Sequence, residues 1–257
     1  MRYAADELIQ TLSGPRGRLL LARERRELQS LLPQLTGYRF VQIGRWNGLQ
    51  EWLGKALKSD GGRVQYWVVD SRGGEGAQIC GAAERLPIAS QSVDAVFLPH
   101  SLEQAASSHQ LLREVDRILC QHGQLIVLGF NPLSPWSLLQ GLQRLLRRAP
   151  LSDGRARRFY GAARVGDWLG LLDYEVRELR RFGSFWTGHG GRPMNSAWAA
   201  RLLAPLAQAY VIYARKRVVP LTPARLRWRQ PPRKIGAVAM PEVRVSRASR
   251  AHLRLVK

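Results

Sequence analysis

Phe40-Val41-Gln42-Ile43-Gly44-Arg45-Trp46-Asn47-Gly48 decides the fold. Four strand-like residues, Phe40 to Ile43, run into Gly44. A short polar and aromatic turn then ends at Gly48, and the segment Leu49 to Lys58 is compatible with a helix. A buried strand, a glycine turn and a helix together make a nucleotide-binding corner. Glycine lets the backbone approach a ligand, and the helix N-terminus offers unpaired N–H groups. In open α/β sheets this crevice lies beyond the carboxyl end of the first strand. The glycines read G-x-W-x-G, with Trp46 in the middle position, so the corner alone is equally compatible with a plain strand-to-helix turn.

The next strand strengthens the first alternative. Val64 to Val69 is rich in β-branched and aromatic residues and ends on Asp70, 22 residues after Gly48. An acid at the tip of the second strand suits ribose, because a carboxylate accepts from two vicinal hydroxyls. Asp70 also suits a turn acid ahead of Ser71-Arg72-Gly73-Gly74. Upstream, residues 1–37 read as a separate helical segment. Leu19, Leu20, Leu28, Leu31, Leu32 and Leu35 recur at helical spacing around the charged run Arg23 to Glu27, and Thr36-Gly37 ends the helix. Such a helix is expected to pack against the edge or lid of the domain.

The charge balance is far from even. Forty Lys and Arg stand against 19 acids in 257 residues, a net charge of +21, which favours an anionic partner. The same excess also suits a chain from an Arg-rich proteome. Cys80 and Cys120 stand far apart in apolar sequence and read as small core residues of a reducing compartment. The start of the chain, Met1 to Thr11, carries acids and lacks an apolar run, so no secretory leader is read there. The apolar stretch Leu202 to Ala214 is too short to span a bilayer and is broken by Pro205. A cytoplasmic protein without a transmembrane segment is expected.

Gly81-Ala82-Ala83-Glu84-Arg85-Leu86-Pro87-Ile88 and the following Ser92-Val93-Asp94-Ala95-Val96 resemble the G-D-A-x-x-L-P-F…S-F-D-x-V pattern of class I S-adenosylmethionine-dependent methyltransferases, in particular the type 11 group. Leu111 to Leu119 looks like that family's helix before strand five, and Gly123 to Gly129 like strand five itself. Tyr174 to Arg180 and Tyr210 to Lys216 look like the closing antiparallel pair. Gly129-Phe130-Asn131-Pro132, Asp167-Trp168-Leu169, His189-Gly190-Gly191 and Ala214 to Arg217 resemble a bacterial subgroup, the YafS-like proteins. The resemblance implies a Rossmann-like α/β domain over residues 38–217. Its sheet would have seven mostly parallel strands with an antiparallel last strand, and helices on both faces.

It also implies S-adenosylmethionine as cofactor and an unknown methyl acceptor. Gly44 and Gly48 would border the methionine moiety, with Trp46 stacked over the cofactor or blocking its pocket. Asp70 would take the ribose, Ala83 and Glu84 would lie by the adenine, and Leu98 to His100 would face the reacting end. His100 is the candidate base, because an unperturbed histidine titrates near neutrality, and His189 is a second. Neither has acids or a second histidine at ligand spacing, so no metal site is expected. This chain departs from the family at Gln42, where an acid is usual, at Trp46, where glycine is usual, and at Ala82, where the adenine-binding Asp is usual.

Three further segments carry readings of their own. Asn131-Pro132-Leu133-Ser134-Pro135-Trp136 is similar to the N-P-P-aromatic motif of amino-group methyltransferases. It follows strand five rather than strand four, and so reads as a turn opening the next helix. Pro135 to Ala149 reads as a lid over the substrate, the alternative being a basic helix on a membrane surface. Residues 218–257 are basic and proline-broken, with Glu242 the single acid, and read as a tail disordered in isolation. The tail would bind RNA or another anionic partner, or be merely solvated chain. The alternative to an enzyme is therefore a catalytically degenerate methyltransferase fold acting as a nucleic-acid or protein binding module through this tail.

Overall fold

A computed structural model describes residues 15–46, 48–58, 64–71, 73, 76–135, 137–139, 159–183 and 206–217. The His189 loop, most of the 135–149 segment and the 218–257 tail lie outside the described residues. Seven strands form one sheet: β1 (Arg39–Ile43), β2 (Gln65–Asp70), β3 (Ile79–Cys80), β4 (Val93–Pro99), β5 (Leu119–Phe130), β6 (Tyr174–Phe182) and β7 (Ala209–Lys216). Their spatial order is β3-β2-β1-β4-β5-β7-β6. β1 pairs parallel with β2 and β4, and β4 pairs parallel with β5. β7 alone is reversed, running antiparallel to both β5 and β6. This is the expected sheet.

Strand alternation sorts the core into two layers. Val41, Ile43, Val96, Leu98, Leu125 and Val127 face one side. There they meet α4 (Ser108–Ile118) and α5 (Ala162–Leu171) through Leu111, Val115, Ile118, Val165 and Leu169. Phe40, Ala95, Phe97, Ile126 and Leu128 face the other side. Their partners are α1 (Pro15–Leu31), through Leu20, Leu28 and Leu31, and α2 (Leu49–Lys58), through Leu49, Leu53 and Leu57. The N-terminal helix is thus part of one core layer rather than an appendage at the sheet's edge.

Two acids of the family-like stretch hold the frame. Asp94 accepts from the backbone N–H groups of Tyr38 and Arg39 at 2.8 and 2.9 Å, which pins the start of β1. Glu114 accepts from Leu86 N–H at 3.1 Å, and Arg117 donates to the carbonyls of Leu86 and Ile88, which ties the Leu-Pro loop to α4. The hydrogen bond from Arg117 holds the Glu114 carboxyl below its ordinary range. A depressed carboxyl pKa adds stability above the unfolded-state value, and that stability is lost as pH falls through the folded value. Glu114→Gln is expected to destabilise the protein by about 1 kcal/mol near neutrality, because the pair is half-exposed. Thermal melts of the two proteins should converge only as pH falls through the depressed Glu114 value, below the ordinary carboxylate range.

The cysteines differ from expectation. Cys80 is exposed at the end of β3, and Cys120 is half-buried near Asp94. β3 is a short edge strand, so the side chain at its tip reaches solvent rather than the core.

Candidate cofactor and active site

In the order β2-β1-β4-β5 the chain reverses direction of travel between β1 and β4, and open α/β sheets place their ligand crevice at that point. The glycine corner borders it as expected. Gly44 has φ +82° and Gly48 φ +72°, both in the region that favours glycine. A Cβ on Gly44 would lie 3.2 Å from Ser101 Oγ, at the start of α3 (Ser101–Gln104). The Ser101 hydroxyl in turn donates to the Ile43 carbonyl and stitches the ends of β1 and β4 together.

Gln42 explains one departure from the family pattern. It is fully buried, accepts from the Tyr66 hydroxyl at 2.6 Å and donates to the Gly44 carbonyl at 2.8 Å. An amide serves both contacts, whereas a carboxylate could not donate to the carbonyl. The side chain braces the corner from inside, with both ends of its amide committed to the protein.

Trp46 and His100 meet across the crevice. The indole is 2% and the imidazole 1% exposed, with ring centroids 4.2 Å apart. Phe130, at the end of β5, stacks on His100 at 4.0 Å and meets the Trp46 ring edge-on at 5.8 Å, so the three rings form one cluster. Glu24 of α1, wholly buried, accepts from Trp46 Nε1 at 2.9 Å and pairs with His100 Nε2 at 3.0 Å. Glu103 of α3 accepts from the Phe130 N–H at 2.9 Å, and its Oε1 lies 4.0 Å from His100 Nδ1. Burial pushes the Glu103 carboxyl up from its ordinary value, and the neighbouring imidazole opposes that shift. His100 Nδ1 and Glu103 Oε2 are buried without a hydrogen-bond partner among the described residues.

The remaining expected site residues are dispersed. Asp70 stands at the tip of β2 beside the corner. It accepts from Arg45 N–H at 3.2 Å and lies 3.4 Å from the Arg45 guanidinium. Glu84 turns away and accepts from the N–H groups of Ala106 and Ser107 at 2.6 and 3.3 Å, which orders the entry to α4. Ala83 packs against the core layer under α4, and Leu98 is buried within it, on the opposite face from Phe97. Asn131 forms the expected turn, accepting from Leu133 N–H and donating to the Ala207 carbonyl.

Glu24, Glu103 and Phe130 gather around His100, and the sequence reading did not place them there. A signal for Glu24 does exist in the sequence. Residues 20, 24, 28 and 31 share one helical face, so Glu24 interrupts a leucine stripe that is otherwise buried. No cluster of acids, cysteines and histidines suited to a metal occurs among the described residues. No described helix is long and apolar enough to cross a membrane.

The residues fit S-adenosylmethionine unevenly. Asp70 at the tip of β2 would serve the nucleoside end. Beside the glycine corner, which would border the amino-acid end, the Trp46 indole is buried against His100 and Phe130.

Comparison with known proteins places these features in a family. A family description, methyltransferase domain, matches residues 50–127. The chain is 32% identical over 209 residues to the uncharacterized protein YafS of Escherichia coli K12, covering 81% of this chain and 80% of that protein. A methyltransferase structure from Archaeoglobus fulgidus, described as SAM-dependent, aligns with TM-score 0.56 and 19% identity over 83% of this chain and all of that one. A second, from Mesorhizobium loti, aligns with TM-score 0.51 and 14% identity over 80% of this chain and all of that one. The sheet order, the glycine corner at the switch point and this relationship agree: the chain belongs to the YafS family, within the class I S-adenosylmethionine-dependent methyltransferases.

Proposed function

We propose that the chain methylates an acceptor bound beyond the carboxyl ends of β4 and β5, with His100 taking the acceptor's proton. The observation that carries this reading is the buried His100, held at Nε2 by Glu24 and left without a partner at Nδ1. S-adenosylmethionine supplies an electrophilic methyl on a sulfonium that is its own leaving group. The protein's share is alignment, exclusion of water and removal of one proton. Glu24 fixes the ring so that Nε2 carries a proton toward the carboxylate and the Nδ1 lone pair remains available. An acceptor that must lose a proton, such as a hydroxyl or an ammonium, suits that arrangement. Asp70 would receive the ribose hydroxyls once the Arg45 guanidinium releases its carboxylate.

The direct test is calorimetric titration of S-adenosylhomocysteine into wild type and Asp70→Ala. Loss of a charge-assisted hydrogen bond is expected to weaken binding roughly ten- to hundred-fold. Equal affinity in the two proteins would remove Asp70 from the site.

A second reading draws on the buried Trp46. In it, the fold has closed its cofactor crevice for good and serves as a binding module whose basic tail, residues 218–257, meets RNA or another anionic partner. Nucleic-acid affinity that falls steeply with salt and vanishes on deleting 218–257 would support it. Affinity that survives the deletion would contradict it.

A further inference from the structure

The full charge of the buried Glu24 is more than its two partners, Trp46 Nε1 and His100 Nε2, require. An indole N–H and an imidazole N–H would be satisfied by neutral carbonyls, whereas taking a carboxylate fully out of water costs several kcal/mol. Its neighbour is as unusual. Arg25 Nη2 donates to the Gly48 carbonyl at 3.3 Å, while Arg25 Nε is buried without a partner among the described residues. A Cβ on Gly48 would lie 3.8 Å from that Nη2. Two successive residues of opposite charge thus turn onto the two ends of one loop, Trp46 to Gly48, beside the crevice.

We propose that Glu24 and Arg25 of α1 form a clamp for the zwitterionic amino-acid end of the cofactor, in which the Trp46 indole N–H holds the place of the ligand's ammonium. This rests on the methyl-transfer reading above. In the closed form the indole donates the hydrogen bond that an α-ammonium would donate, and Arg25 keeps an N–H free for an α-carboxylate. When the indole leaves, Glu24 gains a cation in place of a neutral donor, a stronger partner for a buried carboxylate. The clamp supplies from the preceding helix the charge that Gln42, committed to Tyr66 and Gly44, cannot supply from β1.

The test compares two ligands that share the nucleoside. S-adenosylhomocysteine carries the amino-acid end, and 5′-methylthioadenosine lacks it. Both are titrated calorimetrically into wild type, Glu24→Gln and Arg25→Met, with thermal melts confirming that each protein is folded. Each variant is expected to lose roughly ten- to hundred-fold in affinity for S-adenosylhomocysteine. Affinity for 5′-methylthioadenosine should stay within about two-fold. Arg25 is partly exposed, so Arg25→Met keeps the test decisive should Glu24→Gln fail to fold. Binding of both ligands with no preference shifted by either variant would overturn the clamp and leave the methyl-transfer reading standing. Failure of both ligands to bind wild type at millimolar concentration would overturn that reading, and the clamp with it.

Discussion

Replacing Trp46 with glycine is expected to tighten S-adenosylhomocysteine binding by about ten-fold or more while lowering the stability of the free protein by about 3–5 kcal/mol. Both effects have one cause. The indole is packed against His100 and Phe130, with centroids 4.2 and 5.8 Å away, and anchored to Glu24 at 2.9 Å. Removing it leaves a cavity lined by aromatic rings and strips a buried carboxylate of one donor, which accounts for the loss of stability. In wild type the ligand must first displace that indole, so its apparent affinity is reduced by the fraction of molecules already open. Glycine removes the competitor. Calorimetry and chemical denaturation on the same preparation measure the two quantities. A Trp46→Gly variant that lost stability without gaining affinity would show that the indole is core and nothing more.

The second large effect is expected at Gly129, deep in β5. A Cβ there would lie 2.3 Å from Tyr210 Oη and 2.4 Å from Cζ. Tyr210 faces Gly129 across the β5–β7 ladder, is 1% exposed and donates its hydroxyl to the Tyr160 carbonyl at 2.9 Å. The ring cannot swing away without breaking that bond and disturbing the core layer under α5. Gly129→Ala is therefore expected to destabilise the protein by about 3 kcal/mol, at the upper end for overpacking. Denaturant titration checks the value, and a double mutant with Tyr210→Ala should recover part of the loss as a favourable coupling. Additive losses would mean that the strain is absorbed elsewhere.

Much of the frame was legible because its signals are local. Phe40 to Ile43, Val64 to Val69 and Gly123 to Gly129 announce strands by β-branched residues bounded by glycine or acid, and alternation fixes which face each side chain takes. The Ser-Val-Asp stretch was legible as a motif, but the work of Asp94 was not. It caps the start of β1 from 55 residues away in sequence, through contacts that only the folded sheet creates. The positions of Gly44, Asp70 and His100 at or just past the ends of β1, β2 and β4 were legible, because strand ends are set by local sequence. The contacts of Glu84 were not legible, because its carboxylate accepts from N–H groups before α4 that lie 22 and 23 residues away in sequence. Glu24 was missed although it breaks the leucine stripe. A charged run between leucines reads as a solvated face, and the donors that meet Glu24, Trp46 Nε1 and His100 Nε2, lie 22 and 76 residues downstream.

Methyl transfer by this chain requires that a crevice between β1 and β4 open as Trp46 leaves His100 and Phe130. The most direct test is a titration of wild type with S-adenosylhomocysteine, following both heat and tryptophan emission, with Trp46→Phe as control. A saturable heat accompanied by a red shift, the shift being absent in Trp46→Phe, is the predicted result. Neither heat nor a change in emission at millimolar ligand would contradict it and leave the basic-tail binding module as the surviving reading.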